Sequence, residues 1–191
     1  MDRATLAFWI LVGVLLGTAS YFGINAEAQR RQAQRSEAPL ENGDLVKLER
    51  IVDGDTVVVN KNGAAATVRL VGLKVFDTRS EKDVAAVFGR AAEDRLRALT
   101  ANQSLRVSLY TPPKDRYGRT LATLYAEDRD IALVLIREGL GLVYTVFPFP
   151  AMTSYQSEQA QARAAGRGLW AHREAMANAD ALMKQMHKAT P

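Results

Sequence analysis

Ala4 to Ala26 is a run of 23 residues without a charged side chain, dense in Leu, Val, Ile, Phe and Trp. About 20 apolar residues cross the hydrocarbon core of a bilayer, so the run is long enough for a transmembrane helix. Trp9 and Tyr21 near its ends fit the aromatic preference for the membrane interface. The run has no polar face to show to water, which argues against a helix of a globular core. A cleaved signal peptide is the competing reading, with Leu6–Leu16 as its apolar segment and Ala26-Glu27-Ala28 as a small-x-small cleavage site. Arg30, Arg31 and Arg35 follow the run and only Arg3 precedes it, a balance that points to a cytoplasmic C-terminal side for an anchor. In a chain of 191 residues, what remains suits one globular domain.

Residues 27–42, rich in Gln, Arg, Glu and Ala, read as a linker. From Leu45 the pattern changes to short β-like runs: Leu45–Val52, Thr56–Val59, Ala66–Leu73, Leu105–Tyr110 and Thr120–Tyr125. Asp53-Gly54-Asp55 and Lys61-Asn62-Gly63 supply turn chemistry between them, and Thr111-Pro112-Pro113 reads as a break. Helical spacing marks Asp83–Thr100, Ile131–Glu138 (capped by Asp130 and Gly139) and Ser154–Ala165. Five short strands with about three helices predict a mainly β, α+β domain, a small antiparallel barrel with helical additions over residues 43–173. Residues 174–191 read as a polar, Met-containing helical tail.

The chain has no Cys, which excludes a disulfide scaffold, thiol catalysis and Cys-ligated zinc. Its two His, His172 and His187, leave no material for a His-rich metal site, so a metal here would be a hard cation held by oxygen. The net charge of +4 is too small for bulk attraction to nucleic acid. Any such binding depends on where individual arginines stand.

Three clusters fall at strand ends or beside them. Asp53-Gly54-Asp55-Thr56 brings two carboxylates to a tight turn, either to converge on a hard cation or simply to join two strands. Arg69 interrupts the apolar strand Ala66–Leu73, where a guanidinium needs an anion, a carboxylate or solvent on an open face. Asp115-Arg116-Tyr117-Gly118-Arg119 is a compact loop combining charges with one aromatic ring. Taken alone, the first and third are ordinary turns.

In this order, however, Ile51-Val52-Asp53-Gly54-Asp55-Thr56-Val57, Val68-Arg69-Leu70-Val71-Gly72-Leu73 and Asp115-Arg116-Tyr117-Gly118-Arg119 resemble the staphylococcal-nuclease (thermonuclease) family. Phe88-Gly89, Ala91-Ala92, Leu135-Ile136-Arg137-Glu138-Gly139-Leu140 and Gly168-Leu169-Trp170-Ala171-His172 extend the resemblance over roughly residues 44–172. It implies an OB-fold barrel with three helices and a calcium-dependent phosphodiesterase acting on DNA and RNA. Asp55 matches the family's calcium-ligating aspartate and Asp53 its neighbour outside the ligand set. Arg69 and Arg119 match the arginines that clamp the scissile phosphate, where guanidinium forks offset developing negative charge. Tyr117 matches an aromatic that lines the nucleotide pocket, with Arg116 beside it on the substrate side. A second family tyrosine falls on Thr145.

The resemblance departs in the loop after Arg69. There the family has Asp-Thr-Pro-Glu or Asp-Ala-Pro-Glu, which supplies a second calcium ligand and the glutamate that activates water. Aligned without a gap, this chain has Lys74-Val75-Phe76-Asp77. Lys74 then replaces a ligating carboxylate, and its charge opposes Ca²⁺ by on the order of 8 kcal/mol at 4 Å and an effective dielectric near 20. Asp77 stands in the glutamate's place. A second register, with two insertions, makes Asp77-Thr78 the ligating pair and Glu81 the glutamate. Asp77 takes part in both.

The expectation is therefore a monomeric, membrane-tethered endonuclease that hydrolyses DNA or RNA with calcium at Asp55 and Asp77. Arg69 and Arg119 would hold the phosphate, and Asp77 or Glu81 would activate water. The rival is a catalytically reduced OB module that binds nucleic acid or a protein partner at a membrane.

Overall fold

The computed structural model describes Asp2, Trp9, Val12, residues 38–78 and residues 84–189. The expected anchor over 4–26 (apart from Trp9 and Val12), most of the 27–42 linker and Glu81 lie outside the described residues. Among the described residues, no helix is long and apolar enough to cross a membrane.

Strand β1 (Leu45–Asp53) turns through Gly54-Asp55 into β2 (Thr56–Lys61), and the two pair antiparallel from Lys47↔Asn60 to Asp53↔Thr56. Asn62 and Gly63, both at positive φ, form the two-residue turn into β3 (Ala64–Leu70). Strands β5 (Leu105–Lys114) and β6 (Thr120–Ala126) make the second hairpin. A sheet ordered β3-β2-β1-β5-β6 closes on itself because β3 also pairs with β6 in parallel, Val68↔Thr120 to Leu70↔Ala122. The result is the expected five-stranded barrel. A short β7 (Arg129–Asp130) continues beyond β6.

The barrel interior follows from alternation. Val57, Val59, Val68, Leu70, Val107 and Leu124 are buried in one cluster with Leu96 and Leu99 of helix α1 (Val84–Thr100) and Leu135 and Ile136 of α2 (Ile131–Arg137). Asp130 caps α2 as expected, accepting from the Leu133 N–H at 3.2 Å. The Tyr155 hydroxyl of α3 (Met152–Ala164) donates to the other Asp130 oxygen at 2.6 Å.

Two expectations change. β5 runs on through Thr111-Pro112-Pro113 instead of stopping there. Its pairing with β6 shifts register between Leu109 and Lys114, so the prolines fall where the ladder is already interrupted. The segment read as a polar helical tail is a helix, α4 (Arg173–Ala189), a fourth described helix, and what changes is that it packs on the domain. Its Ala175 and Ala179 are buried with Phe88 of α1 and with Leu169 and Trp170. Arg163 of α3 grips Asp180 with two bonds of 2.7 and 3.0 Å.

Candidate functional site

Barrel closure brings three chain segments to one rim. Thr56 at the start of β2 stands opposite Arg69 near the end of β3. Parallel pairing of β3 with β6 then brings Arg119, just before β6, to the same end. Beyond β3, a two-stranded ladder of β4 (Leu73–Lys74) with β8 (Leu142–Val143) adds Lys74 and the neighbouring Tyr144.

Asp55 is the centre of this rim, and only 5% of its surface is exposed. Its Oδ1 lies 3.1 Å from Arg69 Nη1 and accepts from the Thr56 hydroxyl at 3.2 Å. Its Oδ2 accepts from the Val75 N–H at 3.1 Å and lies 3.8 Å from Lys74 Nζ. Gly54 makes this closeness possible, since a Cβ there would stand 2.5 Å from Val75 Cγ1. Asp53 turns back on the loop, its Oδ1 accepting from the Asp55 N–H at 3.0 Å. Burial pushes the Asp55 carboxyl up, against the pull of Arg69 and Lys74.

Arg69 is anchored by the backbone. Nη1 donates to the carbonyls of Asp55 and Leu70 at 3.1 and 2.9 Å, and Nη2 donates to Leu73 at 2.7 Å. Its guanidinium carbon lies 5.7 Å from the Tyr144 ring centroid. Burial draws the Arg69 guanidinium down from its ordinary value, with Asp55 opposing. A guanidinium does not give up its proton in a protein, so it meets Asp55 as a cation.

Arg119 is held by its own loop. Nε and Nη2 both reach Asp115 Oδ2 at 2.8 Å, while Asp115 Oδ1 accepts from the backbone N–H groups of Tyr117 and Arg119. Nη1 donates to Thr56 Oγ1 at 3.3 Å. Thr56 therefore links Arg119 to Asp55 through one hydroxyl. Tyr117 is exposed, and Arg116 and Arg119 approach its ring at 4.8 and 5.4 Å.

Of the residues singled out in the sequence, Asp53, Asp55, Arg69, Arg116, Tyr117 and Arg119 thus share this rim or the loop beside it. Asp77 is exposed in the segment after β4, and Glu81 lies outside the described residues. Thr56, Asp115 and Tyr144 had no assigned part. Thr56 and Asp115 stood inside the quoted motifs, but only barrel closure shows what their side chains join. Tyr144 precedes Thr145, the position matched to a family tyrosine, and it is this ring that stands beside Arg69.

The donor set that the described residues place around Asp55 does not fit a calcium ion. Such an ion takes six to eight oxygen ligands. Here both Asp55 oxygens face a cation and a hydrogen-bond donor. Among the described residues, no three His, Cys, Asp or Glu side chains come together to hold a metal. What the rim can accept is an anion, with guanidinium and ammonium groups at one edge and an exposed aromatic face near them.

A family model described as staphylococcal nuclease homologue matches residues 67–172. The chain is 34% identical to a thermonuclease of Staphylococcus intermedius over 98 residues, 51% of this chain and 58% of that protein. It is 25% identical to a thermonuclease of Staphylococcus hyicus over 166 residues, 85% of this chain and 98% of that one. An uncharacterized endonuclease of Escherichia coli O157:H7 is 30% identical over 126 residues, 65% of this chain and 75% of that protein. The match to the first of these spans less than two thirds of that relative's length.

Proposed function

Because the chain belongs to the staphylococcal nuclease homologue family, we propose that it is a nuclease hydrolysing phosphodiester bonds of DNA or RNA at the rim around Asp55. One observation carries the reading: Arg69 and Arg119 both reach the buried Asp55, the first directly and the second through Thr56. Their order in the chain resembles that of the phosphate-holding arginines of the family.

In the reaction, a water oxygen bonds to phosphorus and the bond from phosphorus to the departing ester oxygen breaks. A carboxylate, Asp77 or Glu81, takes the water's proton, and the departing oxygen ends protonated. Negative charge builds on the phosphoryl oxygens as this happens, and Arg69 and Arg119 offset it. Their anchoring to backbone and to Asp115 holds them ready, so little reorganisation accompanies the reaction. Tyr117 offers a ring face for a base, with Arg116 beside it.

The reading includes a monomer held at a membrane by residues 4–26, supported by the composition of that run. The rival, a module that binds nucleic acid or a protein partner without cutting, is favoured by one feature. Lys74 stands near Asp55 where the family has a carboxylate. Incubating the full chain with heat-denatured DNA and with RNA separates the two. Fragmentation of either polymer is the expected result. Intact polymers, with a protein that melts cooperatively, would leave the binding module.

A further inference from the structure

We propose that Lys74 is the built-in cation of this rim, so that the site takes a phosphodiester anion without any divalent metal. The inference rests on the nucleic-acid reading above and concerns how that same site recovers the charge a calcium ion would bring.

Charge is the first ground. Four cations, Arg69, Lys74, Arg116 and Arg119, stand against three carboxylates, Asp53, Asp55 and Asp115. The close contacts divide them. Arg69 is matched by Asp55 at 3.1 Å, and Arg119 by Asp115 at 2.8 Å. Lys74 and Arg116 are the cations left over from those two pairs. A phosphodiester carries one negative charge, which such a cation can meet. A doubly charged ion added at Asp55 would instead meet two like charges, Arg69 and Lys74.

Geometry is the second ground. Lys74 Nζ lies 3.8 Å from Asp55 Oδ2, beyond hydrogen-bond range, so Asp55 attracts the ammonium without consuming its donors. The Lys74 side chain is 39% exposed, whereas that of Arg69 is 11% exposed and spends donors on three carbonyls. Lys74 is therefore the more accessible cation of the pair, a phosphate contact additional to Arg69. Its position is fixed from behind: β4 pairs with β8, Lys74↔Leu142, and the next residue donates its N–H to Asp55. A lysine suits the task as a compact point charge on a flexible stem.

The test is binding, measured on the full chain with a short phosphorothioate oligonucleotide that resists cutting, in calcium and in chelator. The parent protein should bind equally in both solutions, and titration calorimetry should show no calcium bound in the absence of oligonucleotide. Lys74→Ala should weaken binding about tenfold in both solutions. It should also make the salt dependence shallower by about 0.7 in the log–log slope, one phosphate contact on a single strand. A lysine serving only to hold Asp55 would not move that slope. Lys74→Asp should bind calcium and hold the oligonucleotide more tightly in calcium than in chelator. Tighter binding by the parent in calcium would overturn the proposal alone, as would a Lys74→Ala protein that binds like the parent in chelator. Failure of the folded parent to bind in either solution would overturn the nucleic-acid reading as well.

Discussion

Lys74 Nζ stands 3.8 Å from Asp55 Oδ2, while Arg69 Nη1 stands 3.1 Å from the other oxygen of the same carboxylate. The buried acid at the barrel rim is thus held between two cations of different kind. The guanidinium is buried and fastened to backbone carbonyls, and the ammonium is open to solvent. This division sets what each substitution at the rim should do.

Arg69→Ala should be expensive for stability as well as activity. It leaves the buried Asp55 carboxylate without its guanidinium and takes that group's donors from the carbonyls of Leu70 and Leu73, and breaking a buried pair in this way costs about 3–5 kcal/mol. Arg119→Ala removes a more exposed partner and should cost about 1 kcal/mol or less. Urea unfolding of the two variants measures both. Equal losses would mean that Arg69 is not the structural member of the pair.

Gly54→Ala should destabilise the fold by about 1–3 kcal/mol, because its Cβ would stand 2.5 Å from Val75 Cγ1. Relief of that overlap pushes Val75 away and stretches its N–H bond to Asp55. Hydrogen exchange at the Val75 amide should speed up in the variant, and an unchanged rate would show that the loop absorbs the methyl elsewhere.

Asp130 supplies a pH test away from the rim. Burial pushes its carboxyl up, while the Tyr155 hydroxyl and the α2 backbone draw it down. The folded protein therefore holds the proton more tightly than the unfolded chain. The associated stability is present below the unfolded carboxylate range and is lost as pH rises through the folded value. Asp130→Asn keeps an oxygen to accept the Leu133 N–H, turns its amide NH2 to the Tyr155 hydroxyl, and does not titrate. Its stability relative to the parent should rise with pH across the acid range and then level off. A flat difference in unfolding free energy from acid to neutral pH would contradict this.

Much of this arrangement is legible before any coordinates. The barrel strands announce themselves because Val57, Val59, Val68 and Leu124 alternate with more exposed neighbours or lie between strong turns. Asp55, Arg69 and Arg119 are legible through the order of three short motifs. The packing of helix α4 hides because its buried positions include alanines, Ala175 and Ala179, which leave its composition reading as polar. Thr56 hides for a different reason: its hydroxyl matters only because β3 pairs with β6 and carries Arg119 to it. The loop after Arg69 admits two registers on paper. In the structure β4 pairs with β8 and Lys74 stands near Asp55.

The decisive measurement is the rate at which the full chain cuts a labelled single-stranded oligonucleotide, compared with Arg119→Ala at equal folded concentration. Arg119 reaches the rim from its own loop and contributes little to the fold, so its loss should leave the melting temperature nearly unchanged. Cleavage should nevertheless fall by about 10²–10³, the cost of removing one preorganised donor from a developing oxyanion. A variant that cuts within a factor of about two of the parent would show that bond breaking, if it occurs, does not happen at this rim.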